Sequence, residues 1–217
     1  MRDGIYLEFS DYIVVHENIS RENLRYGLHF MFSNNDNYLD NTFKENGAGV
    51  AVMFSKFIQM KRNHFIQNWG TASYGLLLKE IYDAEVEDNT FEKNSVGIFI
   101  EGCTRVNYLS NDFKRNGWAV KVSGGSYTNI FSKNNFLSNS FDVSYNSKMN
   151  DNKFEGNYWS SYSGYDLDKD NIGDVPYRPV KLFSYIVNKT PETIILLRSL
   201  FVDIINFSER VSPVFTP

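Results

Sequence analysis

The spelling Asn-x-Phe-x-x-Asn occurs six times in this chain, beginning at Asn41, Asn63, Asn89, Asn111, Asn134 and Asn152, with Phe43, Phe65, Phe91, Phe113, Phe136 and Phe154 at its third position. A degenerate copy, Asn18-Ile-Ser20 to Asn23, extends the series. Successive units are then separated by 23, 22, 26, 22, 23 and 18 residues. A period near 22 is one turn of a solenoid, in which each repeat contacts only its neighbours.

A second element keeps the same beat. A small residue followed by alternating apolar residues recurs at Gly4-Ile-Tyr-Leu7, Gly27-Leu-His-Phe30, Gly49-Val-Ala-Val52, Gly75-Leu-Leu-Leu78, Gly97-Ile-Phe-Ile100 and Ala119-Val-Lys-Val122. Alternation at a period of two means a strand. In register, one face reads Ile5, Leu28, Val50, Leu76, Ile98, Val120 and then Leu7, Phe30, Val52, Leu78, Ile100, Val122, which is the core. A third segment lies before each Asn-x-Phe, and its inward column is Val15, Tyr38, Met60, Val86, Tyr108, Phe131 and Met149. Three short strands per turn predict a parallel β-helix, with like residues of neighbouring coils stacked roughly 4.8 Å apart. The 25 asparagines suit its corners, since Asn tolerates left-handed backbone and its amide bonds the coils on either side. A leucine-rich horseshoe has a similar period but requires a leucine frame and a helical return arm, and these units contain neither.

Composition limits the partners. The formal net charge is −4 and no basic stripe appears, which excludes nucleic acid as the main partner. Cys103 is the single cysteine, so no intramolecular disulfide or cysteine metal cluster is possible, and it is expected to pack near a turn. The opening Met-Arg-Asp-Gly runs directly into a full repeat without a signal peptide or capping unit. Solenoid ends are normally capped, so further coils and an export signal are expected to precede this chain in the native protein.

The organisation read from the sequence is repeats over 1–157, an Asp-rich loop and extended tail over 158–189, and a C-terminal helix and tail over 190–217. All five prolines lie at or after Pro176. Thr190-Pro-Glu-Thr193 reads as an N-cap with proline at the first helical position, leading into a helix through Phe207. It is too short and too interrupted by Arg198 and Asp203 to span a membrane. It either caps the β-helix or offers Leu197, Leu200, Phe201 and Ile204 to a partner, being more apolar than a one-faced surface helix requires.

The outward columns of the Gly-strand face are where chemistry is sought. One is Tyr6, His29, Ala51, Leu77, Phe99, Lys121; the next is Glu8, Met31, Met53, Lys79, Glu101, Ser123. His29 and Met31 lie two residues apart on one side, roughly 6.6 Å along the strand, and Met53 sits one coil from Met31. Thioethers select Cu(I) and imidazole serves copper in either oxidation state, so His29, Met31 and Met53 form a copper-handling patch on a solvent face. The competing reading is that the C-terminal tail simply covers these methionines or that they lie there by chance. Met60 and Met149 fall in the core as gap fillers, and His16 and His64 read as solvated surface histidines. A four-residue insertion makes the loop Trp69 to Ser73 bulge beside the coil of Met53, where it would gate or cover the patch.

Sugar-degrading enzymes are the competing class, and they need paired carboxylates or a base with arginine on the exterior sheet. Lys79 and Glu101 look instead like a surface salt bridge. Asp166, Asp168, Asp170 and Asp174 occupy positions 1, 3, 5 and 9 of a calcium-loop pattern, but Asn171 replaces the glycine and Tyr177 the glutamate. The alternatives are weak calcium binding and a turn that satisfies its own backbone.

Several segments together, Arg25-Tyr-Gly-Leu-His-Phe-Met-Phe-Ser33, Gly47-Ala-Gly-Val-Ala-Val-Met-Phe-Ser55, Tyr74-Gly-Leu-Leu-Leu-Lys79, Asn116-Gly-Trp-Ala-Val-Lys121, Gly164-Tyr-Asp-Leu-Asp168 with Gly173-Asp-Val-Pro-Tyr-Arg-Pro179, and Leu196-Leu-Arg-Ser-Leu-Phe-Val-Asp203, resemble the NosD family. The resemblance implies a right-handed parallel β-helix of the carbohydrate-binding and sugar-hydrolase type, used without hydrolysis. It further implies a periplasmic maturation factor for nitrous-oxide reductase that assembles copper-sulfur centres with an ABC transporter membrane subunit, the reductase or a copper chaperone as partners. It places the protein peripheral to the membrane through that partner, and the runner-up is a carbohydrate-binding or polysaccharide-cleaving β-helix.

Overall fold

Apolar alternation with a 22-residue beat closes the chain into seven coils of a parallel β-solenoid, seen in a computed structural model that describes residues 1–70, 72–146 and 151–211. The Gly-strand face consists of Ile5–Glu8, Tyr26–Met31, Ala48–Lys56, Leu76–Glu87, Val96–Glu101, Trp118–Ser123 and Phe141–Asn146, every neighbouring pair parallel. Leu76–Glu87 runs on round the corner and joins this face to the second one in a single sheet. The third face is a separate seven-stranded sheet from Ile19–Arg21 to Tyr158–Trp159.

Coil spacing explains the small residue that opens each unit. A Cβ on Gly49 would meet the carbonyl oxygen of Gly75 at 2.3 Å, so the backbones approach too closely there for any side chain. Inside, Phe43, Phe65, Phe91, Phe113 and Phe136 are wholly buried and stack with centroids 5.6, 4.6, 5.0 and 4.9 Å apart. The Asn columns satisfy the corners. Asn63 Nδ2 donates to the Tyr38 carbonyl at 2.8 Å and to Asn89 Oδ1 at 3.0 Å, while Asn63 Oδ1 accepts the backbone N–H of Asn41 at 3.0 Å. Buried backbone groups that a sheet ladder cannot reach at a bend are thereby paired.

The last repeat departs from the sequence reading. Asn134 stacks on Asn157, not Asn152, and Phe136 pairs with Trp159. Asn152 instead continues a different column through Asn129, and Phe154 stacks on Phe131 at 4.4 Å. The step of 18 is therefore a change of column, and the true steps 134 to 157 and 129 to 152 are both 23. The inward column that begins Val15, Tyr38, Met60 ends on Phe154; Met149, assigned to it, lies outside the described residues. A seventh Gly-face strand, Phe141–Asn146, lacks the sequence marker of the others, because Asp142 stands where they carry glycine or Ala119.

The tail also differs. The segment expected to be extended up to residue 189 contains a helix, α1 (Leu182–Lys189). The helix expected from Thr190 to Phe207 is divided into a 3₁₀ helix, Pro191–Leu196, and α2 (Leu200–Val211). Leu197 has ψ 128° and Arg198 has φ 73°, so the chain turns between them. Phe183 and Val187 of α1 and Val202 of α2 pack on Val96, Trp118 and Phe141, which project outward from the Gly-strand face. The outer surface of that sheet thus carries a second, smaller apolar core.

Candidate metal site and tail surface

Strand alternation sends Leu28 and Phe30 inward, where both are fully buried, and turns His29 and Met31 to the other face. Met31 and Met53 are direct Cα partners on adjacent strands, and both are half-buried. His29 is not in the solvent, contrary to expectation. It is 6% exposed, covered by the Tyr6 ring at 5.3 Å and the Tyr26 ring at 4.8 Å. Aromatic side chains on its own strand and on the preceding coil supply a lid that the column pattern did not reveal.

Neither His29 nitrogen has a protein hydrogen-bond partner among the described residues. Burial, aided by the nearby Arg25 guanidinium, lowers the imidazole pKa below its usual value. The ring is accordingly neutral at pH 7 with a lone pair that no protein donor occupies, which is the form that ligates metals. Buried imidazole without partners is costly in a purely structural role. A neutral imidazole and two aligned thioethers fit a soft cation such as Cu(I). On either side of the methionine pair stand Glu8, which accepts from Tyr6 Oη at 2.8 Å, and Lys79, which bridges Glu101 at 3.2 Å. That Lys79–Glu101 pair is the salt bridge expected of it.

Other candidates sort clearly. His16 and His64 are exposed; His16 lies 3.2 Å from Glu17 and 3.7 Å from Asp40. Cys103 is fully buried and its thiol is pushed up to about 12 by desolvation, so it is inert as a nucleophile. The inserted loop is tied to Ser95, with Gly70 N–H donating to Ser95 Oγ at 3.0 Å and Ser95 Oγ donating to the Gly70 carbonyl at 3.1 Å. Tyr74 at its end lies against Phe99 at 5.2 Å. Thr71 within it lies outside the described residues.

Asp166, Asp168 and Asp170 bring carboxylate oxygens within 4.8 Å of one another. The same carboxylates accept local backbone N–H groups: Asp166 from Asn171 at 3.0 Å, Asp168 from Asp170 at 3.3 Å and Asp170 from Ile172 at 2.7 Å. Asp174 does not join the cluster. Its Oδ2 accepts the Leu167 N–H at 2.7 Å, which closes the turn. The loop satisfies its own backbone while gathering three of the four expected carboxylates.

Of the four tail residues expected to face a partner, Leu200, Phe201 and Ile204 are 74%, 52% and 57% exposed. Leu197 is different: it packs into the outer apolar core with Ile205, because the turn at Arg198 rotates it inward. Below the tail, a cavity of about 280 Å³ is lined in part by Asp142, Ser161, Tyr177, Lys181 and Glu209. Asp142 accepts from Tyr177 Oη at 3.0 Å and Ser161 Oγ at 3.4 Å, and burial raises its pKa despite these bonds. No sequence argument singled out this group. The signal for the wall above it was the i, i+4 pair Phe183 and Val187 in Leu182-Phe-Ser-Tyr-Ile-Val-Asn-Lys189.

Comparison with known proteins follows the same lines. A family profile described as "Periplasmic copper-binding protein (NosD)" matches residues 1–164. Proteins named "Probable ABC transporter binding protein NosD" from Stutzerimonas stutzeri and Pseudomonas aeruginosa are 28% and 30% identical over 108 and 107 residues. Each match covers 48% of this chain and 25% of the relative, so it spans about a quarter of the relatives' length. Among solved structures, the periplasmic alginate epimerase AlgG T265N mutant superposes with a TM-score of 0.61 at 19% identity, covering 68% of this chain and 36% of that one. The mannuronan C-5 epimerase AlgE4 A-module of Azotobacter vinelandii gives 0.60 at 17% identity, covering 74% and 52%. At such identities the likeness is one of fold. No helix among the described residues is long and apolar enough to cross a membrane. With three quarters of its length matched by the family profile, this chain belongs to the NosD family.

Proposed function

We propose that this protein is a non-enzymatic periplasmic accessory factor that handles copper during assembly of the copper-sulfur centres of nitrous-oxide reductase, working with an ABC transporter. The observation that carries the copper reading is the neutral, unpartnered His29 imidazole on the same strand face as Met31, with Met53 aligned beside it. In this reading the two thioethers meet incoming Cu(I) at the half-open edge, and His29 supplies the nitrogen beneath the tyrosine lid. Soft, uncharged donors suit a cargo that must also leave. The tail supplies the contact to the transporter's membrane subunit, through the exposed Leu200, Phe201 and Ile204 rather than through Leu197.

Competition titration of Cu(I) against a chromogenic chelator tests the site. Replacing Met31 and Met53 by leucine keeps their apolar contacts and is expected to weaken Cu(I) binding at least tenfold, about 1.4 kcal/mol. Unchanged affinity would remove these thioethers from the reading. Turnover of uronate polymers by the wild-type chain would favour the polysaccharide-cleaving alternative instead.

A further inference from the structure

Left-handed corners recur at every turn of the solenoid, and on two of its three edges polar residues such as Asp40, Glu45 and Arg62 occupy them. The remaining edge is different over the first three coils. Among the described residues every aromatic with a positive φ lies there: Phe9 at 51°, Tyr12 at 61°, Phe32 at 51°, Phe54 at 52° and Phe57 at 58°. A bulky side chain in this conformation is a genuine outlier, and Asn or Gly would sit there more easily. These five are also between 40% and 77% exposed, so burial does not recompense the strain. The turn itself is held from within by serines, with Ser10 and Ser33 backbone N–H groups each donating to the Oγ of the next coil's serine at 3.1 Å. The backbone needs the serines; it does not need the phenylalanines.

We propose that this aromatic edge is a docking surface for a protein segment that is apolar at its centre and rimmed by lysine or arginine. The proposal is independent of the copper reading. Phe9, Phe32 and Phe54 form a continuous stack, 5.1 Å between successive centroids and 9° from parallel. Their negative ring faces are turned on one another, and a sugar ring, which binds aromatic faces through its C–H groups, finds mostly edges. The flanking runs 8–12, 31–35, 53–57 and 79–83 carry Glu8, Asp11, Glu80 and Asp83 against Lys56 and Lys79, an excess of two acids. An acidic rim opposes an anionic bilayer surface, and it opposes a second copy of the same edge. It favours a cationic rim on a protein, with the apolar strip as the contact centre.

Fluorescence anisotropy of the full chain with a labelled leucine–lysine amphipathic peptide tests this, with the leucine–glutamate counterpart as control. The lysine peptide is expected to bind with an affinity that falls as salt rises, and the glutamate peptide to fail. Replacing Phe9, Phe32 and Phe54 by asparagine should cost at least tenfold in affinity while the circular dichroism and melting transition persist, since Asn accepts the left-handed corner. Should that triple variant not fold, Phe9→Asn alone, at one end of the stack, is expected to weaken binding severalfold. Neutralising Glu8, Asp11 and Glu80 to their amides should flatten the salt dependence. Undiminished binding by the folded aromatic variants overturns the proposal. So does loss, in those variants, of attachment to phosphatidylglycerol vesicles, of uronate oligosaccharide binding or of self-association in place of peptide binding.

Discussion

The inward columns of the coils and the helices of the tail both carry large apolar side chains in quantity, but only the inward columns bury nearly all of theirs. In the solenoid, Leu28, Val50, Leu76, Ile98 and Val120 are each fully buried by the rung on either side. In the tail, α2 buries Val202 and packs Ile205 against the outer sheet face, and leaves Leu200, Phe201, Ile204 and Phe207 in contact with water. A repeat brings its own partner with every turn; a lone amphipathic helix depends on what it meets. Buried apolar area measures stability in the first region, and exposed apolar area measures unfinished assembly in the second.

The sharpest break of this contrast is in the middle of the Phe stack. Phe91→Ala leaves a cavity between Phe65 and Phe113 and is expected to cost about 3–5 kcal/mol, read as a shift of the urea midpoint monitored by far-UV circular dichroism. A loss under about 1 kcal/mol would mean the coils collapse round the gap and are less tightly coupled than the stacking implies. Phe183→Ala should act more locally. It removes the α1 anchor from Phe141 and is expected to loosen the tail by about 3 kcal/mol, seen as a change in Trp118 fluorescence that precedes the solenoid transition. One shared transition for both would make tail and solenoid a single cooperative unit.

The gentlest test concerns Asp142 beneath the tail. Its folded pKa is raised, chiefly by desolvation, so the native state holds this proton more tightly than the unfolded chain does. The contribution of that proton is therefore full below the ordinary carboxylate value of 3.8 and is lost as pH rises towards the raised folded value. Asp142→Asn is expected to stabilise the tail slightly at pH 7 and to make no difference below pH ~3.8, compared by thermal melts at the two values. A destabilised variant at neutral pH would show that the ionised carboxylate, through Tyr177, Ser161 and the attraction of Lys181, is what fixes the tail.

Legibility followed the same division. Columns that repeat on every coil could be placed in advance, because Asn, Phe and the Gly-led strand each obey one spacing and one burial. The slip at Asn152 shows where this fails: two Asn columns carry the same Asn-x-Phe spelling, and only the hydrogen bonds from Asn129 and Asn134 separate them. Outward residues were harder. Sequence alternation aimed His29 away from the core correctly, but its cover comes from Tyr26 on its own strand and Tyr6 on the coil before. The inward turn of Leu197 is not legible because a left-handed Arg198 is not encoded in helix propensity, and α1 is not legible because Pro179 and the Asp-rich run before it read as an extended tail. Asp174 has the spacing of a ligand but bonds the Leu167 N–H of its own turn.

The Asn columns give the molecule a grain. Each amide oxygen accepts a hydrogen bond from the rung before it and each amide nitrogen donates one to the rung after, so the dipoles of a column all point one way along the axis and polarise one another. Such a molecule is divisible only in whole turns. Insertion or excision of one complete circuit rejoins like to like in every column at once, whereas a change of a few residues within a circuit must be absorbed as a bulge at a corner, as the loop before Gly75 is.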